Sequence, residues 1–345
     1  MHCTLLIPHL FWPRETAEAV MNGLELSALT KVLARSRAER FPAITPEGWL
    51  CEAHHVERQQ DWPIAPLTLE LDGIEAGDDY WLRADPVHLR VDRDRLLLVE
   101  NALFELSADE ARAFAAALNA HFATDGITFH APRPKRWYAK LAQPPKLVTS
   151  SAYEAAGRDV NAQLPAGADA LRWHGIFNEA QMLLHSTPEN SAREERGELV
   201  VNSVWFWGGG TRQAVRARPY DAVWSDDAAA TALAAAAGGD AAPLPADAAA
   251  WLAASTTRPG RNESHLIVID ALSSAAAHHD AETWRARLVG LEAQWLAPLV
   301  QAMRQGRIRH IALVVPGEAV CRRFDATRPD LLKLWRRARR WSEYS

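Results

Sequence analysis

The chain has 345 residues, enough to bury one large core or two smaller ones. Hydrophobic residues make up 48% and charged residues 23%, ordinary values for a folded globular protein. The net charge of −5 argues against a general nucleic-acid binder.

Cys3 to Pro8 is a short apolar run ending at proline and predicts a buried first strand. Ala17 to Leu33 carries Val20, Leu24 and Leu29 at helical spacing, and the stretch from Pro42 to Pro66 reads as irregular connection. Leu67 to Leu71 alternates like a strand before an Asp72-Gly73 turn. Tyr80 to Leu89 and Leu96 to Val99 read as two more strands, parted by the charged run Asp92-Arg93-Asp94-Arg95. Ser107-Ala108-Asp109-Glu110 is a capping box opening an Ala-rich helix to about Phe122. Asp125-Gly126 then makes a turn between that helix and the strands Ile127 to His130 and Trp137 to Leu141.

Beyond Leu171 the pattern alternates. Trp173 to His185 is helical, Leu199 to Trp207 a buried strand broken by Gly208-Gly209-Gly210, and Asp226 to Ala237 an Ala-rich helix. His265 to Ile269 and Ile311 to Val315 are β-branched and apolar, as strands buried on both faces should be. Trp284 to Met303 lies between them as a crossover helix, which is βαβ logic and implies a mostly parallel sheet. The expected organisation is an α/β core of residues 1–61 and 171–345, with residues 62–170 as an inserted α+β cap.

Cys3, Cys51 and Cys321 are odd in number and widely spaced, so neither a disulfide framework nor a zinc knuckle is indicated. Met1 to Leu10 lacks the basic start and apolar length of a signal peptide, and no run reaches the roughly 18 apolar residues of a membrane helix. The cytoplasm is the expected location, with no membrane and no nucleic-acid partner. Arg304 to Arg340 is rich in arginine against only Glu318, Asp325 and Asp330; it reads as a solvated terminal helix or as a basic patch for an acidic partner.

Several stretches together carry a resemblance. Asn178-Glu179-Ala180-Gln181-Met182-Leu183-Leu184-His185 is followed by Pro188-Glu189-Asn190-Ser191-Ala192-Arg193 and Gly197, then by Asn202 through Gly210 (NSVWFWGGG). With Trp81-Leu82-Arg83-Ala84-Asp85-Pro86-Val87-His88-Leu89 and Arg136-Trp137-Tyr138, this order resembles the RpfE-type bacterial regulatory proteins. More remotely it resembles the archaeal-type cofactor-independent phosphoglycerate mutases. The resemblance implies an alkaline-phosphatase-like mainly parallel sheet flanked by helices. It also implies a site with two divalent metals and a Ser or Thr nucleophile.

That implied site is largely missing. The first strand should end in a metal-binding Asp, but ends Ile7-Pro8-His9-Leu10; a late strand should run into Asp-His, but Val315 is followed by Pro316-Gly317-Glu318. No Ser-Asp nucleophile can be placed in residues 35–66. Two dications about 4 Å apart repel strongly unless several carboxylates neutralise them. Weak metal candidates are Asp270, His278, His279 and Asp280; adjacent side chains rarely chelate one ion together, so a surface loop is the simpler reading. His54-His55 reads as an exposed pair, Ser273-Ser274 lacks a nucleophile elbow, and Asp85 with His88 is either an acid–base pair or strand-end hydrogen bonding.

Phosphate ligands remain open: Arg193, Arg136 and Asn190, with the backbone of Gly208, Gly209 and Gly210, could hold a phosphate ester through guanidinium forks and turn N–H groups. The glycines could equally make a tight strand exit, and the arginines could be structural ion-pair partners. The favoured expectation is a mutase-derived regulatory or phosphate-ligand-binding protein without catalysis and without a cofactor. Manganese, zinc or magnesium enters only with an active mutase or phosphatase built on a rearranged site. A third expectation is a structural protein docking an unknown protein partner through its basic C-terminal helix.

Overall fold

The apolar run at the start of the chain becomes the centre of a sheet. A computed structural model describes residues 1–92, 95–99, 101–256 and 264–344. In chain order its strands are β1 (His2–Leu6), β2 (Arg37–Phe41), β3 (Tyr80–Asp92), β4 (Arg95–Val99), β5 (Ile127–Arg133), β6 (Arg136–Leu141) and β7 (Ser203–Gly210). They continue as β8 (Ala222–Trp224), β9 (Asp240–Ala242), β10 (Ser264–Val268), β11 (His310–Val315) and β12 (Cys321–Thr327). These belong to two units, residues 1–55 with 215–345, and residues 56–214.

The first unit holds a seven-stranded sheet in the order β2-β12-β11-β1-β10-β8-β9. From β11 to β9 every neighbouring pair is parallel, with Leu5 opposite Ile267 on one side and Leu313 on the other. β12 and then β2 extend it antiparallel. Leu5, Ile267 and Leu313 pack in one core with Trp284, Leu288 and Trp295 of the crossover between β10 and β11. That crossover is helix Ala281–Leu291, a π turn Glu292–Leu296 and helix Ala297–Arg304. The buried Glu292 carboxylate accepts from the N–H groups of Ala28 (2.5 Å) and Leu29 (3.0 Å). It thereby satisfies orphan donors at the start of helix Ser27–Arg35 and sits favourably at its positive end.

The second unit is antiparallel, β4-β3-β6-β5, with β7 pairing β3. Helix Ala108–Phe122 begins at the expected capping box of Ser107 and Glu110. Phe114, Leu118 and Phe122 of that helix share a core with Trp173 and Ile176 of helix Ala170–His185 and with Phe206 of β7. The α/β class, a mainly parallel sheet beside a separate antiparallel one, is as expected.

Several local expectations are corrected. Leu67 to Leu71 is not a strand but the end of helix Ile64–Leu71, buried at Ile64, Ala65, Leu67, Thr68 and Leu69; five alternating residues are too few to separate the two periods. The Pro-containing stretch is not irregular throughout. Thr45 accepts from Gly48 N–H at 3.1 Å and Pro46 takes the first turn of helix Pro46–Ala53, where a missing N–H costs nothing. The strand expected at 199–207 does not join the parallel sheet: β7 pairs β3, so the units divide at 55/56 and 214/215 rather than at 61/62 and 170/171. A strand buried on both faces reads alike in either kind of sheet. The stretch from Arg304 to Arg340 is not a terminal helix: it holds β11 and β12, and after β12 the described chain has only short turns at Asp330–Leu332 and Trp341–Glu343. Of the charged run between β3 and β4, Arg93 and Asp94 lie outside the described residues.

Candidate functional site

In open α/β sheets ligands gather beyond the carboxyl ends of the parallel strands. Here β1 leaves through Ile7, Pro8 and His9. His9 takes a left-handed backbone (φ 54°), and its carbonyl accepts from Trp284 Nε1 at 3.0 Å. β11 leaves through Pro316, Gly317 and Glu318. β8 runs into Asp226, which accepts from Leu244 N–H at 3.1 Å, and Asp227, which caps helix Ala228–Ala236 through Ala230 N–H at 2.8 Å.

β10 runs into Asp270, whose carboxylate accepts from the Ser273 hydroxyl. Asp270 is exposed at the strand exit. Desolvation by neighbouring groups pushes its carboxyl up to about 6; the Ser273 hydrogen bond opposes the rise and the Asp227 charge adds to it.

The metal candidates do not assemble. His278 caps the short helix Ser273–Ala277, His279 has φ 54°, and Asp280 caps helix Ala281–Leu291 through Thr283 N–H at 3.0 Å. Hydrogen bonds from Thr283 hold the Asp280 carboxyl below its ordinary range. Among the described residues no three His, Cys, Asp or Glu side chains are grouped to hold a metal ion. They do not fit a divalent pair.

The phosphate candidates all lie in the second unit, and protein groups already engage them. Arg193 is 1% exposed. Its Nε donates to the Leu199 carbonyl (2.7 Å), one terminal nitrogen to Glu110 (3.0 Å) and the other to the Glu105 carbonyl (2.8 Å). Asn190 donates to the carbonyls of Leu184 and Val201, both at 2.8 Å, and accepts from Val201 N–H at 2.9 Å. Each guanidinium nitrogen of Arg193 and both ends of the Asn190 amide thus already meet protein groups, and both residues are buried, a structural setting and not an open anion site. Arg136 forks onto Asp72, a carboxylate with no exposed side-chain surface that also accepts from Tyr138 Oη (2.7 Å) and Arg133 Nε (3.1 Å). The Asp85 and His88 alternatives also resolve. Asp85 pairs with Arg83 at 2.7 Å, whereas His88 Nδ1 meets the Val200 carbonyl at 2.9 Å.

Gly208, Gly209 and Gly210 are not a turn but the buried end of β7. Gly208 needs its left-handed φ of 63°, and its N–H donates to Thr149 Oγ1 at 3.1 Å. A Cβ on Gly210 would stand 2.7 Å from Pro63 Cβ, part of a rigid ring. Gly210→Ala is expected to cost about 1–3 kcal/mol by overpacking, read as a lower urea midpoint at unchanged slope.

Missed from sequence is the Arg83–Asp85 pair, both under 8% exposed, with Trp207 Nε1 donating to Asp85 at 2.8 Å. Residues two apart on a strand share a face, so Arg-x-Asp within an apolar strand was the available sign. A cavity of about 640 Å³ is lined by Arg83, Arg133, Lys135 and Arg136. Each of these has a carboxylate partner: Asp85 for Arg83, Asp72 for Arg133 and Arg136, and Glu105 for Lys135.

No family model matches the chain. Over 149 residues it is 26% identical to a probable 2,3-bisphosphoglycerate-independent phosphoglycerate mutase of Geobacter sulfurreducens, a match covering 42% of this chain and 37% of that protein. Over 150 residues it is 24% identical to a 2,3-bisphosphoglycerate-independent phosphoglycerate mutase of Methanosarcina barkeri, covering 43% and 37%. The match thus spans well under half the length of these curated relatives, and it shows a remote relationship. A solved protein of Pyrococcus horikoshii superposes over 99% of this chain and 92% of its own, with 12% identity and a TM-score of 0.52, and so shares the fold. A cofactor-independent phosphoglycerate mutase of Thermoplasma acidophilum aligns over 100% and 95%, with 13% identity and a TM-score of 0.49.

Proposed function

We propose that this phosphoglycerate-mutase-like chain does not carry out the metal-dependent mutase reaction and serves a regulatory or phosphate-ligand-binding role, as the RpfE-type resemblance implies. One observation carries the reading. Where the alkaline-phosphatase-like fold would gather metal ligands, the described strand exits offer Asp226, Asp227, Asp270 and Glu318 without any group of three converging. Asp226 and Asp227 are also committed to the backbone N–H groups of Leu244 and Ala230. Few hard ligands leave a metal pair unneutralised. The test is a coupled assay for turnover of 3-phosphoglycerate with added manganese, zinc or magnesium, for which the expected rate is that of the blank. Metal-dependent turnover well above it would refute the reading.

One specific observation favours a second reading, a phosphatase with a rearranged site. Asp270, its carboxyl pushed up to about 6 by desolvation, accepts from the Ser273 hydroxyl, the relation of a general base to a nucleophile. Release of inorganic phosphate from a chromogenic phosphate ester, abolished by Ser273→Ala, would establish it.

A further inference from the structure

In the unit of residues 1–55 and 215–345, a cavity of about 970 Å³ lies where β12 and the edge strand β2 meet the last turns of the chain. Arg40 of β2 stands directly opposite Arg322 of β12, and both line it. Like charges so placed across two strands destabilise a sheet. Burial, and then the charge of Arg40, push the Arg322 guanidinium below its ordinary range.

Arg336, Arg337 and Arg339 also line the cavity, whereas Arg37, three positions from Arg40 on the strand, projects from the other face of β2. The cavity's two carboxylates are already engaged: Glu39 pairs with Arg37 at 2.7 Å, and Glu343 accepts from Arg340 N–H at 3.4 Å. Lys333 pairs with Asp330 at 2.5 Å. Among the described residues Arg40, Arg337 and Arg339 have no carboxylate partner. The contrast is with the smaller cavity of the other unit, where every cation is neutralised.

We propose that this cavity binds a small phosphate ester bearing two or more negative charges, seated between Arg40 and Arg322. The cations are arginines with one lysine, and guanidinium forks match phosphate oxygens two at a time. The volume falls within the range of small-molecule sites. An anion between the opposed arginines turns their repulsion into attraction. In a chain of net charge −5 such a concentration of arginine is local, not a general property of the surface. The proposal deepens the ligand-binding half of the function read above and rests on it, but not on the absence of mutase turnover.

Calorimetry on the full chain with inorganic pyrophosphate as the probe should give a dissociation constant of about 10 μM to 1 mM at low salt. Arg40→Gln should weaken it about tenfold or more, the loss expected for one charge-assisted contact. Arg40→Gln with Arg337→Gln should abolish it. Pyrophosphate should raise the melting temperature of the parent but not of the double variant. Without ligand, Arg40→Gln should melt no lower than the parent, because it removes a like-charge pair; this guards against loss of fold as the cause. Sedimentation with phosphatidylserine vesicles, against phosphatidylcholine, separates a lipid headgroup from a soluble ester. Vesicle binding without affinity for pyrophosphate overturns the proposal, as does no binding near millimolar pyrophosphate. Affinity unchanged in the variants overturns the site while leaving the ligand-binding reading standing elsewhere on the chain.

Discussion

Arg193→Ala is expected to lower the free energy of unfolding by about 3–5 kcal/mol, because it removes one partner of a buried charge network. The guanidinium joins three segments through Leu199, Glu110 and Glu105, and it lies over the Phe104 ring at 5.9 Å. Its loss also removes the donors to the Leu199 and Glu105 carbonyls. Urea unfolding by circular dichroism reads the effect, and a loss under 1 kcal/mol would remove the structural role assigned here.

The same network makes a pH prediction. Partial burial raises the Glu110 carboxyl, but hydrogen bonds from Ser107 and the Arg193 guanidinium outweigh it and hold it at about 2. A carboxyl depressed in the folded state contributes stability that is present above its unfolded value, about 4.3, and lost as pH falls through about 2. The parent should therefore lose stability across that window more steeply than Arg193→Ala. Identical slopes would mean that Arg193 does not hold the carboxyl down.

Asp85→Ala is the second large effect, again about 3–5 kcal/mol. It leaves Arg83 buried without its carboxylate, 5.0 Å from the Trp207 ring centre and 5.5 Å from that of Tyr138, and it strands Trp207 Nε1. Aromatic faces retain some attraction for the cation but do not replace a bidentate acceptor. The double variant Arg83→Leu with Asp85→Leu should cost less than Asp85→Ala alone, since apolar replacement of both partners avoids the uncompensated charge. A double variant at least as unstable as the single one would show that the pair is worth its burial in its own right.

How far the site was legible depended on what each residue had to do. The Ser107–Glu110 capping box was readable because its two hydrogen bonds close within four residues. The strands at β1, β10 and β11 were readable because burial on both faces leaves an unbroken apolar run. Arg193, Asn190 and Gly208 to Gly210 stood out as motifs, but a motif does not say whether a guanidinium faces a ligand or a carbonyl. Their partners Glu110, Leu199, Val201 and Pro63 are set by folding. Arg40 and Arg322 lie 282 positions apart in the chain and meet only through the register of β2 on β12.

The sequence by itself determined the α/β class and the want of acidic residues after β1 and of Asp-His after β11. Periodicity and residue identity at a strand end are local properties. Only the tertiary structure decided that β7 belongs with β3, that Arg193 and Asn190 meet carbonyls and a carboxylate of the protein, and that arginines from the edge strand and the chain's end line one cavity. Strand partners and ion pairs depend on which segments lie side by side, and an apolar strand or an arginine carries the same letters whichever neighbour it finds.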